Sequence, residues 1–343
     1  QFRPPALRDR DDDVLRLAAA NAVEVHLATD APGARGTWQH APLVLVGGDA
    51  AMALAGSGLG RRRDVILVCR EPTADDWKHA VVVGAEHVVS LPEGERWLID
   101  RLADSGEGAP RNGPLLAVVG VGGGAGASTF AATMAAVAAH AGRRVLLVDA
   151  DRLGGGLDVA LGLESMPGLR WPDLAQARGR LGVEALAEAL PRAGGVHVLA
   201  WGREAVMPVP GDVVAAVLDV AARGFDLAIV DVARQVDAMA ELVLSRAERT
   251  VLVAAAQIRA GAATAVLADS LKETSPRLSV AVRSVPRGVR ADAMAEALGL
   301  PLAASLPYVR RLAHGPGEGR PPSVRDGYAR ACAQAMTDLV RSR

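Results

Sequence analysis

The chain has 343 residues, half of them hydrophobic, with a formal net charge of −1 and a pI near 6.7. That length suggests two domains with sizeable cores, and the apolar content excludes disorder. The balanced charge excludes a global pull toward nucleic acid or an anionic membrane, so any such contact must be local. Cys69 and Cys332 lie too far apart for a disulfide framework or a paired metal-ligand spacing, which fits a reducing cytoplasm. The opening QFRPPALRDRDDD lacks a charged-then-apolar leader pattern, and no run approaches the roughly 18 unbroken apolar residues of a spanning helix. A soluble protein is expected. Lys78 and Lys272 are the only lysines, so no lysine lies near the glycine-rich loop described below.

Strand-like apolar runs alternate with helix-like stretches along the chain, the pattern of a mainly parallel sheet covered by helices. In the first third, VEVHLAT, APLVLVGGD, DVILVC and AEHVVSLP are predicted strands, and ADDWKHAVVVG and GERWLIDRLAD predicted helices. The stretch from Asp64 to Leu102 resembles the second half of a response-regulator receiver domain: a strand, a helix, Gly-Ala, a strand, then a residue before proline. That residue, a lysine in receivers, is Leu91, and the phosphoacceptor position falls on Gly47 or Gly48. A phosphoryl-aspartate needs both a carboxylate nucleophile and a neutralising cation. This domain, residues 1–108, is therefore expected to dock or dimerise without being phosphorylated, unless Asp49 serves through a shift of alignment. ADSGEGAPRNGP, Ala103 to Pro114, is a predicted linker.

Beyond it, PLLAVVGV is a predicted buried strand, GGGAGA a flexible loop and STFAATMAAVAAHAG a helix closed by Gly142. Successive N–H groups of such a loop, with the helix N-terminus behind them, form an anion-binding concavity. Gly122, Gly123, Gly124 and Gly126, interleaved with Ala125 and Ala127, tolerate positive φ and let the main chain approach a phosphate. Ser128 stands where a Mg²⁺-binding hydroxyl belongs, with Thr129 beside it. Next, VLLVDADRLGGGLDVALGLE is a strand ending in Asp149 and Asp151, and FDLAIVDV a second strand ending in Asp231. Carboxylates at the C-terminal ends of two parallel strands sit where a metal-nucleotide binds in a doubly wound sheet.

Together these motifs resemble the MinD/ParA superfamily of deviant Walker ATPases over most of Pro114 to Arg343. The small residue in place of the loop lysine and the receiver-like front domain most resemble its CpaE/TadZ branch and the septum-site-determining (Ssd) relatives found with Tad-type pilus and secretion systems. The resemblance implies an α/β fold of two parts: a flavodoxin-like receiver domain and, over residues 114–343, a doubly wound P-loop domain. It implies that Gly122–Thr129, Asp149, Asp151, Asp231 and Arg283 hold ATP or ADP, with Ser128, Asp149 and Asp231 around Mg²⁺ and Asp151 the weak candidate for a catalytic group. Arg283 falls near the segment that contacts the base in this family.

The departures matter as much. The family's signature lysine falls on Gly122 and the ordinary P-loop lysine on Ala127, so both are missing. Lysines or arginine fingers at such sites are worth about 10³–10⁵ in rate, whereas main-chain amides, the helix dipole and Mg²⁺ still contact phosphate. Two outcomes are expected: MgATP held with little or no hydrolysis, or a site that takes no nucleotide. Arg152 is a weak candidate to replace the missing cation.

The implied role is a homodimeric positioning protein of the division or secretion machinery, cytoplasmic and recruited to a pole, a septum or the inner membrane face by protein partners. The alternatives are an active ParA-like DNA-partitioning ATPase, which the scattered arginines of the last helix do not favour, and a Rossmann dinucleotide enzyme, which GVGGGAGA loosely fits. An iron-sulfur cluster lacks the cysteines to hold it. Tyr328, Ala331, Met336, Leu339 and Val340 form a small apolar side on the last helix, expected to pack in the core rather than in a membrane interface.

Overall fold

The computed structural model describes the chain except residues 1–4, 22, 61, 107–110, 177–180, 203–207, 276, 310–321 and 342–343. The middle of the predicted linker, 107–110, thus lies outside the described residues. Two compact units emerge, Gln1–Ala109 and Pro110–Arg343.

In the first unit, β1 (Val44–Gly47), β2 (Val65–Cys69) and β3 (His87–Ser90) pair in parallel in chain order. The central strand β2 is buried along its whole length, as a strand covered by helices on both faces must be. Ile66 and Val68 pack with Leu17, Leu98 and Leu102, whereas Leu67 and Cys69 pack with Trp38, Ala80 and Val83. The helix Ala74–Val83 starts at a capping box, with the Thr73 hydroxyl accepting from Asp76 N and the Asp76 carboxylate accepting from Thr73 N. The helix Glu95–Gly106 covers the second predicted helix and runs into the predicted linker. The expected strand in VEVHLAT does not form: residues 23–28 have no ladder partner, and Val25 and Leu27 are exposed. Alternation marks a chain able to lie in a sheet; a strand also needs a neighbour to pair with.

The second unit is built on one sheet of eight strands: β4 (Leu115–Gly120), β5 (Val145–Ala150), β6 (Arg192–Ala193), β7 (Val196–Leu199), β8 (Leu227–Val232), β9 (Arg249–Ala255), β10 (Leu278–Arg283) and β11 (Leu302–Leu306). Their order is β11-β10-β9-β4-β8-β5-β7-β6, parallel except for β6. Helices cover both faces, one around Leu186, Val217, Phe225 and Leu244, the other around Phe130, Met134, Leu157 and Cys332. In a Rossmann sheet the first two strands are neighbours; here β8 lies between β4 and β5. That inserted strand removes the dinucleotide-enzyme alternative.

The helix Ala127–His140 follows the glycine loop and ends at Gly142, whose φ of +81° lets Arg143 N reach back to Ala138 O at 3.2 Å. The last helix, Gly327–Arg341, buries Tyr328, Cys332, Ala335 and Met336 against that same layer, with Ala331 and Leu339 partly covered. Its described apolar side is core, and the side chain of Val340 lies outside the described residues. No described helix is long and apolar enough to cross a membrane.

Candidate functional site

The site lies at the C-terminal ends of β4, β5 and β8. β4 carries the chain into the loop, and Val121 N extends the pairing by one more bond to Val253 O at 3.0 Å. Val121 and Ala125 are buried, while Gly122, Gly123 and Gly124 face solvent. A turn closes between them, with Ala125 N donating to Gly122 O at 3.0 Å. Gly124 and Gly126 have φ of +70° and +97°, the left-handed region that a side chain resists, so these two glycines are required by the loop's path. A Cβ at Gly122, Gly123 or Gly124 would meet nothing within 4 Å, so the outer surface of the loop is open.

Register brings the acids together. Asp149 on β5 stands opposite Asp231 on β8, and both are buried. The exposed Ser128, in the first turn of the helix after the loop, lies near the Asp231 carboxyl, where its hydroxyl favours the charged form. Burial, reinforced by the nearby Asp151 charge and opposed by the neighbouring Ser128 hydroxyl, pushes the Asp231 carboxyl up to about 7. Asp149 rises to about 7 as well, chiefly by burial and then by its carboxylate neighbours Asp231 and Asp151, against two main-chain hydrogen bonds. Those bonds come from Asp151 N at 3.0 Å and Leu157 N at 2.9 Å, one to each carboxylate oxygen. Asp149 thereby pins both ends of the segment 151–157. Its own carbonyl accepts from the Trp171 indole at 2.7 Å. Asp151 turns back on its loop, accepting from Leu153 N at 3.2 Å, and Arg152 points to solvent.

Arg283 closes the other side. At the end of β10 it donates from Nε to Ala125 O and from Nη2 to Gly124 O, each at 3.0 Å. Its guanidinium edge thus grips loop carbonyls, a use that the expected base contact did not include. Nothing in the sequence signals this contact, or that of Trp171 with Asp149, because each joins residues far apart along the chain. Among the described residues no cluster of three or more His, Cys, Asp or Glu is arranged to hold a metal by itself.

In the first unit, β1 ends at Gly47 and the following helix begins at Gly48, with Asp49 exposed in its first turn. A Cβ built on Gly48 would collide with Asp76 Oδ1. The Asp76 side chain, from the helix Ala74–Val83, thus lies directly against Gly48. Leu91, at the lysine position, is buried.

A family model described as "Rv3660c-like, CheY-like N-terminal domain" matches residues 6–113. Two Mycobacterium tuberculosis proteins, the uncharacterized Rv3660c of strain H37Rv and MT3760 of strain CDC 1551, are 40% identical over 315 residues, covering 90% of this chain and 88% of each. The chain belongs to the Rv3660c-like family. Its fold joins a CheY-like N-terminal domain to a MinD/ParA-like P-loop domain. A ParA family ATPase from Chlorobium tepidum superposes with a TM-score of 0.57 at 18% identity, covering 66% of this chain and 98% of that one. MinD in the MinC:MinD cell division complex of Aquifex aeolicus gives 0.55 at 18%, covering 67% and 96%. The septum site-determining protein MinD of Pyrococcus horikoshii, complexed with Mg-ADP, gives 0.53 at 20%, covering 66% and 95%. At these identities the likeness speaks for the fold of this Rv3660c-like chain and no further.

Proposed function

We propose that this protein is a nucleotide-responsive positioning protein of the CpaE/TadZ/Ssd type, which binds MgATP with little or no hydrolysis and acts as a dimer docked on protein partners of the division or Tad-type secretion machinery. One observation carries it: the glycine loop is open on its outer side and Ser128 lies near Asp231, while both lysine positions, Gly122 and Ala127, hold no cation. Loop amides from Gly122 to Thr129 and the helix N-terminus would hold the phosphates. The donor set fits Mg²⁺ beside them, because the ion takes oxygen ligands, keeps several waters and relies on substrate phosphates rather than an all-protein cage. When bound, Mg²⁺ supplies the positive charge that two buried carboxylates beside a triphosphate require.

Ser128 and Asp231 are the side chains that face this role. Asp149, expected as a further metal ligand, accepts one main-chain amide on each oxygen and so also holds the segment 151–157 in place, with a lone pair on each oxygen left for the ion or its waters. Asp151, for which the described residues provide no partner cation, would take a supporting position near the phosphates. Turnover would lack the lysines that stabilise charge on the leaving group, so the site is suited to sensing nucleotide rather than to rapid hydrolysis. The CheY-like unit, with glycine at the acceptor position and Leu91 at the lysine position, serves as a docking module.

Titration calorimetry with ATP and Mg²⁺, run beside a phosphate-release assay, tests this function. Binding in the micromolar range with turnover far below about 1 s⁻¹, the low end of ordinary enzyme rates, is the expected result. Affinity no tighter than millimolar would refute nucleotide sensing, and turnover at ordinary rates would refute the loss of hydrolysis.

A further inference from the structure

We infer that Arg283 is the resident cation of the glycine loop, a positioning residue that holds Gly122–Gly126 in its anion-receptive form from the carbonyl side of the main chain. The inference deepens the nucleotide-binding role proposed above and rests on it for its consequence, though not for its geometry.

Two successive carbonyls, Gly124 O and Ala125 O, accept from one edge of the Arg283 guanidinium at 3.0 Å each. In a planar trans peptide the C=O and the N–H point in opposite directions. Fixing the Gly124 and Ala125 carbonyls toward Arg283 therefore turns the Ala125 and Gly126 N–H groups to the opposite side of the chain. The Ala125 N–H closes the turn onto Gly122 O. The Gly126 N–H is aimed away from the guanidinium, at the start of the helix Ala127–His140. A cation on the oxygens of a peptide also polarises its N–H, so charge reaches the anion side through the peptide group.

The anchor of this arginine is rigid. Arg283 pairs in register with Ala255 on β9 and Leu306 on β11, and its carbonyl accepts from Ala256 N at 2.8 Å. The side chain then crosses from β10 over β9 to the loop that follows β4. Gly126 packs directly beside the arginine: a Cβ there would sit in ordinary van der Waals contact, 3.5 Å from Arg283 Cδ and Nε, so glycine is called for by the φ of +97° and not by lack of space. Arginine is suited to this task and lysine is not, because the planar fork spans two acceptors and stays charged at every accessible pH. A lysine in a P-loop reaches phosphate directly; Arg283 instead acts by preorganising the main chain that would reach it.

The test compares Arg283→Gln and Arg283→Lys with the wild type in two measurements. The first is hydrogen–deuterium exchange of the peptide spanning 120–130 in nucleotide-free, full-length protein. Exchange there should accelerate about tenfold or more in Arg283→Gln and by less in Arg283→Lys, with the β8 peptide unchanged as a control for global unfolding. The second is calorimetry with MgATP, where Arg283→Gln should bind about tenfold more weakly and Arg283→Lys should recover only part of the loss. Unchanged exchange at 120–130 in Arg283→Gln overturns the inference. So does a lysine variant that matches the wild type in both measurements, since one ammonium would then suffice. If the wild type binds no nucleotide, the sensing role fails by itself and the exchange measurement alone decides the role of Arg283.

Discussion

Replacing Asp231 by asparagine removes one of two facing buried carboxyls while keeping the side-chain shape and a partner for Ser128. In the wild type, burial and the Asp151 charge lift Asp231 from 3.8 to about 7. A carboxyl raised in this way binds more protons folded than unfolded. Its stabilising share is therefore complete below the unfolded value near pH 4 and is lost as pH rises toward 7. At about 1.36 kcal/mol per pH unit, the difference bounds that loss at roughly 4 kcal/mol. Asp149 titrates with Asp231 across the register pair, so about half, roughly 2 kcal/mol, is assigned to Asp231 alone. Asp231→Asn should then raise Tm by about 4–8 °C at pH 8, at about 2–4 °C per kcal/mol for a domain of this size, and by only about 2–3 °C at pH 5, where little more than one pH unit of the loss has accrued. Thermal unfolding followed by circular dichroism at the two pH values measures it. His197, held below its ordinary value mainly by burial, loses stability on acidification in both proteins alike, so the difference between them cancels it. The same substitution should weaken MgATP binding, because the carboxylate beside the metal position is gone. A Tm equal to that of the wild type at pH 8, or a gain as large at pH 5, would refute the placement of a buried, cation-starved carboxylate at this site.

Ala127→Lys restores the loop lysine beside Asp231, and calorimetry should show MgATP affinity at least about tenfold tighter, or about 1.4 kcal/mol. Gly126→Ala forces a side chain to a φ of +97°, which should cost roughly 1–2 kcal/mol in denaturant unfolding and abolish nucleotide binding. Trp171→Phe removes the indole donor to the Asp149 carbonyl and should lower urea stability by about 1–3 kcal/mol. Gly48→Asp rebuilds a phosphoacceptor in the first unit, yet Asp76 occupies that space; incubation with acetyl phosphate should leave the intact mass unchanged, and thermal unfolding should come earlier by several degrees.

The sequence by itself determined whatever depends on local pattern. Apolar runs with aspartate at their ends placed β5 and β8, glycines followed by Ser128 placed the loop and its helix, and Gly142 marked where that helix stops. The order of those motifs also gave the family of folds, because a P-loop, its hydroxyl and two aspartate-tipped strands are each a short-range signal. The strand–helix–Gly-Ala–strand order before Leu91 and Pro92 likewise announced a receiver-like unit. The sequence could not say what each polar group would face. The alternation in VEVHLAT was present, but the tertiary structure supplied no strand to pair with it. That Asp149 also accepts from the Leu157 amide, and that Arg283 reaches the loop carbonyls from two strands away, appear only once the sheet is assembled. The physical reason is common to these cases. Backbone conformation and burial follow from residues a few positions apart, whereas the partner of a charged or hydrogen-bonding group is chosen by which strands become neighbours, and that choice belongs to the whole sheet.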